Sequence, residues 1–393
     1  MHRSSNHHPT FLHHPPSFRR RKFPLVSSAV DFPSRNAAFF RRFRFLLLFF
    51  VVFFFVYNLA RFFRFSSDVS GSSFAGAVDF VFPLKNTVFS QDNEEYRLEQ
   101  VLKNAATRDK TVIITTLNEA WAAPRSIIDL FLESFRIGLH TQALLNHLVI
   151  VTLDDRAYRR CLTLHQHCVV LVTDGVDFSK EANFMKPDYL QMMWKRIDFL
   201  RRVLEMGYSF VFSDADIMWL RNPFPYFDPD TDFQIACDHF TGNPFDLENS
   251  PNGGFNYVKS NNRTIEFYKY WHSSREKFPG YHDQDVLNFI KHSPYIDEIG
   301  LTMRFLDTAY FGGFCESSKD FNEVCTMHAN CCIGMDSKVF DLGILLQDWR
   351  LFMSLPPSLQ QTQRYSWRVP QKCRFNMFFA VNTPKESEAP HTI

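Results

Sequence analysis

No cysteine occurs in the first 160 residues of this 393-residue chain, and no CxxC pair occurs anywhere in it. The missing CxxC removes the commonest spacing of zinc ligands. The cysteines that do occur, at 161, 168, 237, 315, 325, 331, 332 and 373, are even in number, which in an oxidising compartment points to disulfides. The 161/168 and 315/325 pairs are close in sequence, but spacing alone leaves the connectivity open. Charge is missing in one place. FLLLFFVVFFFVYNLA at 45–60 has no charged residue, proline or glycine, while residues 1–44 carry nine Lys/Arg against Asp31 alone, a net charge of +8. The whole chain is +1, so residues 61–393 come to −7. A mildly acidic body excludes a general nucleic-acid binder, which needs clustered cations to neutralise phosphates.

As a helix, the apolar run spans roughly 24 Å, short of a roughly 30 Å hydrocarbon core. Arg44 and Arg61 can snorkel, and early secretory membranes are thinner, so a membrane-spanning anchor is expected over 45–61. A buried helix is the alternative. No small-residue cleavage pattern follows the run, which argues against a cleaved signal peptide. The basic flank keeps residues 1–44 on the cytosolic side. The expected organisation is a type II signal anchor: a disordered basic tail over 1–44, the anchor, a stem over 62–95, a folded lumenal domain over 96–375, and a tail over 376–393. Asn262-Arg263-Thr264 is the one Asn-x-Ser/Thr sequon, consistent with lumenal exposure.

Within the body, TVIITTLN (111–118), HLVIVTLD (147–154) and CVVLVTD (168–174) are short β-branched runs ending in polar residues. Helical stretches lie between them, including APRSIIDLFLESFRIGL at 123–139. This alternation predicts an α/β fold with a mostly parallel central sheet. In PDYLQMMWKRIDFLRRVLEMG the apolar Tyr189, Met193, Ile197, Leu200 and Leu204 recur at helical spacing, leaving Gln191, Lys195, Asp198 and Arg202 outside. Pro187 suits the first turn and Gly207 the position after the last.

The strand that follows, in FVFSDADIMWLRNP, ends in Asp214 and Asp216. Burying two ionised carboxylates side by side is costly, so they are either solvated or share a cation. On an extended strand both side chains point to one side and can share Mg²⁺ or Mn²⁺, the ions that hard oxygen ligands select. Such an ion completes its shell with substrate phosphates. At the carboxyl end of a strand fed by a crossover helix, the pair stands where open α/β sheets bind ligands.

SDADIMWLRNPF, NGGFNYVKS (252–260), HDQDVLN (282–288) and HANCCIG (328–334), in that order, resemble the plant nucleotide-diphospho-sugar transferase family, which groups rhamnogalacturonan xylosyltransferases with extensin arabinosyltransferases. The resemblance covers roughly residues 108–370. It implies a GT-A, Rossmann-like glycosyltransferase domain behind the transmembrane helix, working in the Golgi lumen on a UDP-sugar donor and a glycan or glycoprotein acceptor. Cell-wall synthesis and retention of anomeric configuration come with it. Enzymes of this kind often pair, as homo- or hetero-oligomers.

Residue by residue, the resemblance makes Asp214, Asp216 and His328 ligands of Mn²⁺ or Mg²⁺, with Asp214 also near the ribose. Thr115, Thr116 and Asn118 match the segment that holds uridine, and Arg196 an arginine that contacts donor sugar or phosphate. Asn252, Gly253 and Gly254 form a block where glycine lets backbone approach a ligand closely. Asp283 would fix a sugar hydroxyl and Gln284 would lie near the anomeric carbon; helix capping explains the same HDQD block. Gly334 and Lys338 match a pair that binds the diphosphate. No nucleophile is evident, so same-face attack assisted by the leaving phosphate is the expected route. Two other classes compete: a catalytically inactive lumenal carbohydrate-binding or scaffold protein on the same fold, and a metal-dependent nucleotidyltransferase or phosphatase. Met218 stands where a haloacid-type phosphatase would carry Thr or Val.

Overall fold

A computed structural model describes residues 91–171, 179, 185–362 and 364–374. After helix α1 (Gln91–Ala105) come strand β1 (Thr111–Leu117), a helical turn (Glu119–Ala122), α2 (Ile127–Ile137), β2 (Leu148–Thr152), α3 (Asp155–Leu164) and β3 (Cys168–Val170). Helix α4 (Pro187–Glu205) leads into β4 (Ser209–Ser213), β5 (Ile217–Trp219), β6 (Phe233–His239) and β7 (Ser250–Val258). Then follow α5 (Asn262–Ser274), α6 (Asp283–Ile290), β8 (Met303–Phe305), β9 (Phe311–Gly313), β10 (Thr326–His328) and the long α7 (Met335–Met353).

The strands form a seven-stranded sheet in the order β3-β2-β1-β4-β7-β6-β8. Its β3/β2, β2/β1, β1/β4 and β6/β8 pairs are parallel, and the pairs that β7 makes with β4 and β6 are antiparallel. This is the mixed α/β fold with a mostly parallel sheet that the strand–helix alternation predicts. From β1 the chain runs outward through β2 and β3, then crosses back so that β4 lies on the other side of β1. The crevice at their carboxyl ends is therefore a topological switch point. A three-stranded sheet, β5-β10-β9, stands beside it.

Alternation along the strands fills two cores, one on each face of the large sheet. Phe210 and Phe212 enter one with Val112, Ile114, Phe233 and Trp271, while Val211 enters the other with Ile113, Phe135, Trp219 and Trp349. Helix α4 begins with proline in its first turn, and Gly207, at φ +81°, follows its Met206 cap. The left-handed backbone at that position favours glycine.

The structure corrects one local expectation. Strand β4 ends at Ser213, so the two aspartates do not lie on extended backbone; Asp214–Ile217 is a turn in which the Ile217 N–H donates to the Asp214 carbonyl at 3.2 Å. The connectivity that spacing left open is Cys161 with Cys168, Cys315 with Cys331, and Cys332 with Cys373. Cys237 and Cys325 are buried free thiols. No helix of the described residues is long and apolar enough to cross a membrane; the anchor expected over 45–61, the tails expected over 1–44 and 376–393, and the stem expected over 62–95 as far as residue 90 lie outside them.

Candidate functional site

The turn after β4 is held from two sides. The Asp214 N–H donates to the Gly254 carbonyl of β7 at 2.7 Å, and the Ala329 N–H donates to the Asp216 carbonyl at 3.1 Å. Antiparallel pairing of β10 with β5 sets His328 opposite Ile217, the residue that closes the turn. Pairing across two sheets thus brings together side chains more than a hundred positions apart. Ligand atoms of Asp214, Asp216 and His328 all lie within 4.8 Å of one another.

Asp216 is 1% exposed. Its Oδ2 accepts from Lys338 Nζ at 2.6 Å, while His328 Nε2 stands 3.2 Å from Oδ1. That approach is not aligned as a hydrogen bond, so Oδ1 has no hydrogen-bond partner among the described residues. Burial would raise the Asp216 pKa, but Lys338 and His328 outweigh it and hold the carboxyl well below the usual range. Above the cluster, a Cβ on Gly254 would sit 2.7 Å from both Asp214 Oδ2 and His328 Cε1. An orphaned buried carboxylate oxygen, two carboxylates with an imidazole, and space that only glycine leaves open fit a small divalent cation such as Mn²⁺ or Mg²⁺.

Arg196 links this cluster to α6. Its guanidinium donates to Asp214 Oδ1 at 3.1 Å and to Asp283 Oδ2 at 2.5 Å, and lies 4.8 Å from the Phe212 ring centre. Although it sits on a helix, Arg196 is not a solvated side chain: it is 6% exposed. Burial would raise the Asp283 pKa, but Arg196 prevails and keeps the carboxyl far below its ordinary value. Asp283 does not cap α6; His282 does, accepting the Gln284 N–H through Nδ1 at 3.1 Å.

Gly253 and Gly254 lie on β7 rather than in a loop. The Gly253 N–H donates to Gln284 Oε1 and the Gly254 N–H to Asn252 Oδ1, both at 2.9 Å. Asp238, at the end of β6, then gathers the amides. Its Oδ1 accepts from Asn252 at 2.8 Å and Asn330 at 2.7 Å, and its Oδ2 from Gln284 at 3.0 Å. The sequence reading overlooked Asp238, although it closes the buried run FQIAC much as Asp214 closes FVFS.

A cleft opens at the carboxyl ends of β1 and β4, lined by Thr116, Asn118, Trp121, Tyr189, Met193 and Asp214 among others. Burial, and then Asp283, push the Tyr189 phenol pKa upward. Asn118 also accepts from the Trp121 N–H at 3.1 Å, capping the turn that carries the indole. Thr115 lies apart from Thr116 and Asn118. It is fully buried and does not line the cleft, because strand alternation turns it away from Thr116. Gly334 starts α7 at φ +85° with open space around it, and Lys338, one turn on, reaches Asp216. Adjacent disulfides at Cys331 and Cys332 staple the segment between His328 and Gly334.

The family model for nucleotide-diphospho-sugar transferases matches residues 143–342, just over half of the chain. The chain belongs to that family. Uncharacterized protein At4g15970 of Arabidopsis thaliana is 49% identical over 291 residues, covering 74% of this chain and 77% of the relative. Uncharacterized protein At1g28695 of the same plant is 39% identical over 71% of this chain and 86% of its own length. UDP-D-xylose:L-fucose alpha-1,3-D-xylosyltransferase MGP4, also from Arabidopsis thaliana, is 23% identical over 44% of this chain and 46% of the relative, so the match spans under half of that enzyme. Among solved structures, a glycosyltransferase involved in the glycosylation of the major capsid of PBCV-1 aligns with a TM-score of 0.36 at 12% identity, over 59% of this chain and 98% of that one.

Proposed function

We propose that this chain is a metal-dependent GT-A glycosyltransferase that moves a sugar from a UDP-sugar to a glycan or glycoprotein acceptor with retention of configuration. The observation that carries the reading is the convergence of Asp214, Asp216 and His328 with the Arg196–Asp283 pair at the switch-point crevice. A divalent ion held there would neutralise the charge of a departing diphosphate. Thr116, Asn118, Trp121 and Tyr189 would hold the nucleoside in the cleft. Asp283, kept ionised by Arg196, can only accept hydrogen bonds and suits a sugar hydroxyl. Gln284, fixed by Gly253 and Asp238, faces the same space. In the transfer, the sugar–phosphate bond breaks with its electron pair going to UDP. The acceptor hydroxyl forms the new bond on the same face, and its proton passes to the leaving phosphate oxygen.

A type II anchor over 45–61 would put this domain in the Golgi lumen, part of the secretory route along which disulfides persist, with a role in cell-wall polysaccharide or glycoprotein synthesis. The test is a screen of UDP-sugars with the detergent-solubilised full chain and Mn²⁺, scored by UDP release. One donor should stand out, Asp216→Ala should abolish its turnover without loss of folding, and NMR of the product should show retention. Full turnover in Asp216→Ala would remove the metal role, and an inverted product would end the same-face route. Absence of metal-dependent UDP binding by calorimetry would favour the inactive scaffold instead.

A further inference from the structure

Lys338 is a cation already seated on the carboxylate that a metal ion would use. Its Nζ is 2.6 Å from Asp216 Oδ2, the same side chain whose Oδ1 lacks a hydrogen-bond partner among the described residues. An ammonium and a divalent ion cannot both press on one buried carboxylate without strong mutual repulsion, because little solvent screens them there. Lys338 has a second place to go. Its Nζ lies 5.4 Å from the Trp121 ring centre, and Trp121 lines the cleft that also contains Asn118 and Asp214. Lysine's flexible four-carbon stem lets the ammonium swing from Asp216 towards that cleft while its backbone stays in the first turn of α7. That turn is itself the end of a helix that favours an anion.

We propose that Lys338 and the divalent ion are alternative cations at Asp216, and that a nucleotide diphosphate promotes metal binding by drawing Lys338 off that carboxylate. The proposal rests on the UDP-sugar reading for its second half only. Metal alone must displace Lys338 and binds weakly. Metal with a diphosphate finds Asp216 free, because the ammonium has a new anion. By linkage, the metal strengthens nucleotide binding by the same factor.

The test is calorimetric titration of the folded full chain with Mn²⁺ alone and with Mn²⁺ in saturating UDP, in wild type and in Lys338→Met, whose side chain keeps the length and loses the charge. Exchange predicts that Lys338→Met binds Mn²⁺ alone about tenfold tighter, a factor within the usual range of such couplings. It also predicts that the tightening produced by UDP is several-fold smaller in the variant than in wild type. Unchanged or weaker Mn²⁺ binding in Lys338→Met overturns the proposal. So does an equal gain with and without UDP, which is what a general charge effect would give. If wild type binds no UDP even with Mn²⁺, the UDP-sugar reading fails; the Mn²⁺-alone comparison still decides whether Lys338 competes with the ion. Matching melting temperatures and circular dichroism establish that the variant folds.

Discussion

Arg196 Nη2 donates to Asp283 Oδ2 at 2.5 Å, and the two side chains are 6% and 2% exposed. A pair this deeply buried costs more to break than it gains by forming, because removing one partner strands the other charge away from water. Arg196→Met should therefore lose roughly 3–5 kcal/mol of stability, read from urea denaturation. The double variant Arg196→Met/Asp283→Leu should recover a large part of the loss. A double variant no more stable than the single one would mean that the pair is not the cause.

The two glycines of β7 should respond differently to the same methyl group. Gly253→Ala would place its Cβ no closer than 3.5 Å to any neighbour, whereas Gly254→Ala would press on Asp214 and His328 at 2.7 Å. Overpacking of that kind costs about 1–3 kcal/mol. Gly254→Ala should weaken Mn²⁺ binding by about tenfold or more, and Gly253→Ala should leave it nearly unchanged. Titration of Mn²⁺ into both variants makes the comparison.

Among the described residues Asp238 makes no hydrogen bond to Asp214, Asp216 or His328, yet it orients Gln284, Asn252 and Asn330. Asp238→Asn would replace one accepting oxygen with an NH₂ group, so at least one of the three amide donors would lose its acceptor. Losses on removing such supporting groups run to about 10–100-fold, so donor turnover should fall by that order while Mn²⁺ affinity stays within about twofold. Asp238→Asn combined with Gln284→Ala should cost less than the sum of the two single losses, since part of the Asp238 effect passes through Gln284.

Acid stability should carry the signature of Asp232. Burial works to raise its pKa, but bonds from Arg263, Thr302 and Asn261 prevail and bring it down to about 2 from an ordinary 3.8. A folded-state pKa below the unfolded one contributes stability above the unfolded value and loses it as pH falls through the folded one. The stability gap between wild type and Asp232→Asn, measured by urea midpoint, should be full above about pH 4 and shrink towards pH 2. A gap independent of pH over that window would show that the carboxylate charge is not what matters there.

Local features were legible in the residues because they arise from short-range sterics and spacing. The periodicity of 187–204, with Pro187 and Gly207 at its ends, predicts the observed α4, and the β-branched run at 111–117 predicts β1. The mostly parallel sheet follows from strands alternating with helices. The metal-ligand candidates were legible only through the order of blocks that resemble a family, since Asp-x-Asp alone has a bland explanation. That Thr115 is buried away from the cleft was not legible, because a polar residue near a strand end does not declare which face it takes until the sheet is layered.

What the sequence determined by itself was therefore the type of each element and the place where two acids interrupt an apolar run. Tertiary structure decided the rest. The Asp214–Ile217 turn depends on β7 and β10 flanking it, and the meeting of Asp216 with His328 depends on β5 pairing with β10. Arg196 reaches Asp283 across 87 positions, and Cys315 chooses Cys331 over the nearer Cys325. The disulfide apart, whose cysteines are 16 positions from one another, these contacts join segments far apart in the chain, so their geometry comes from strand order and packing, not from any local pattern.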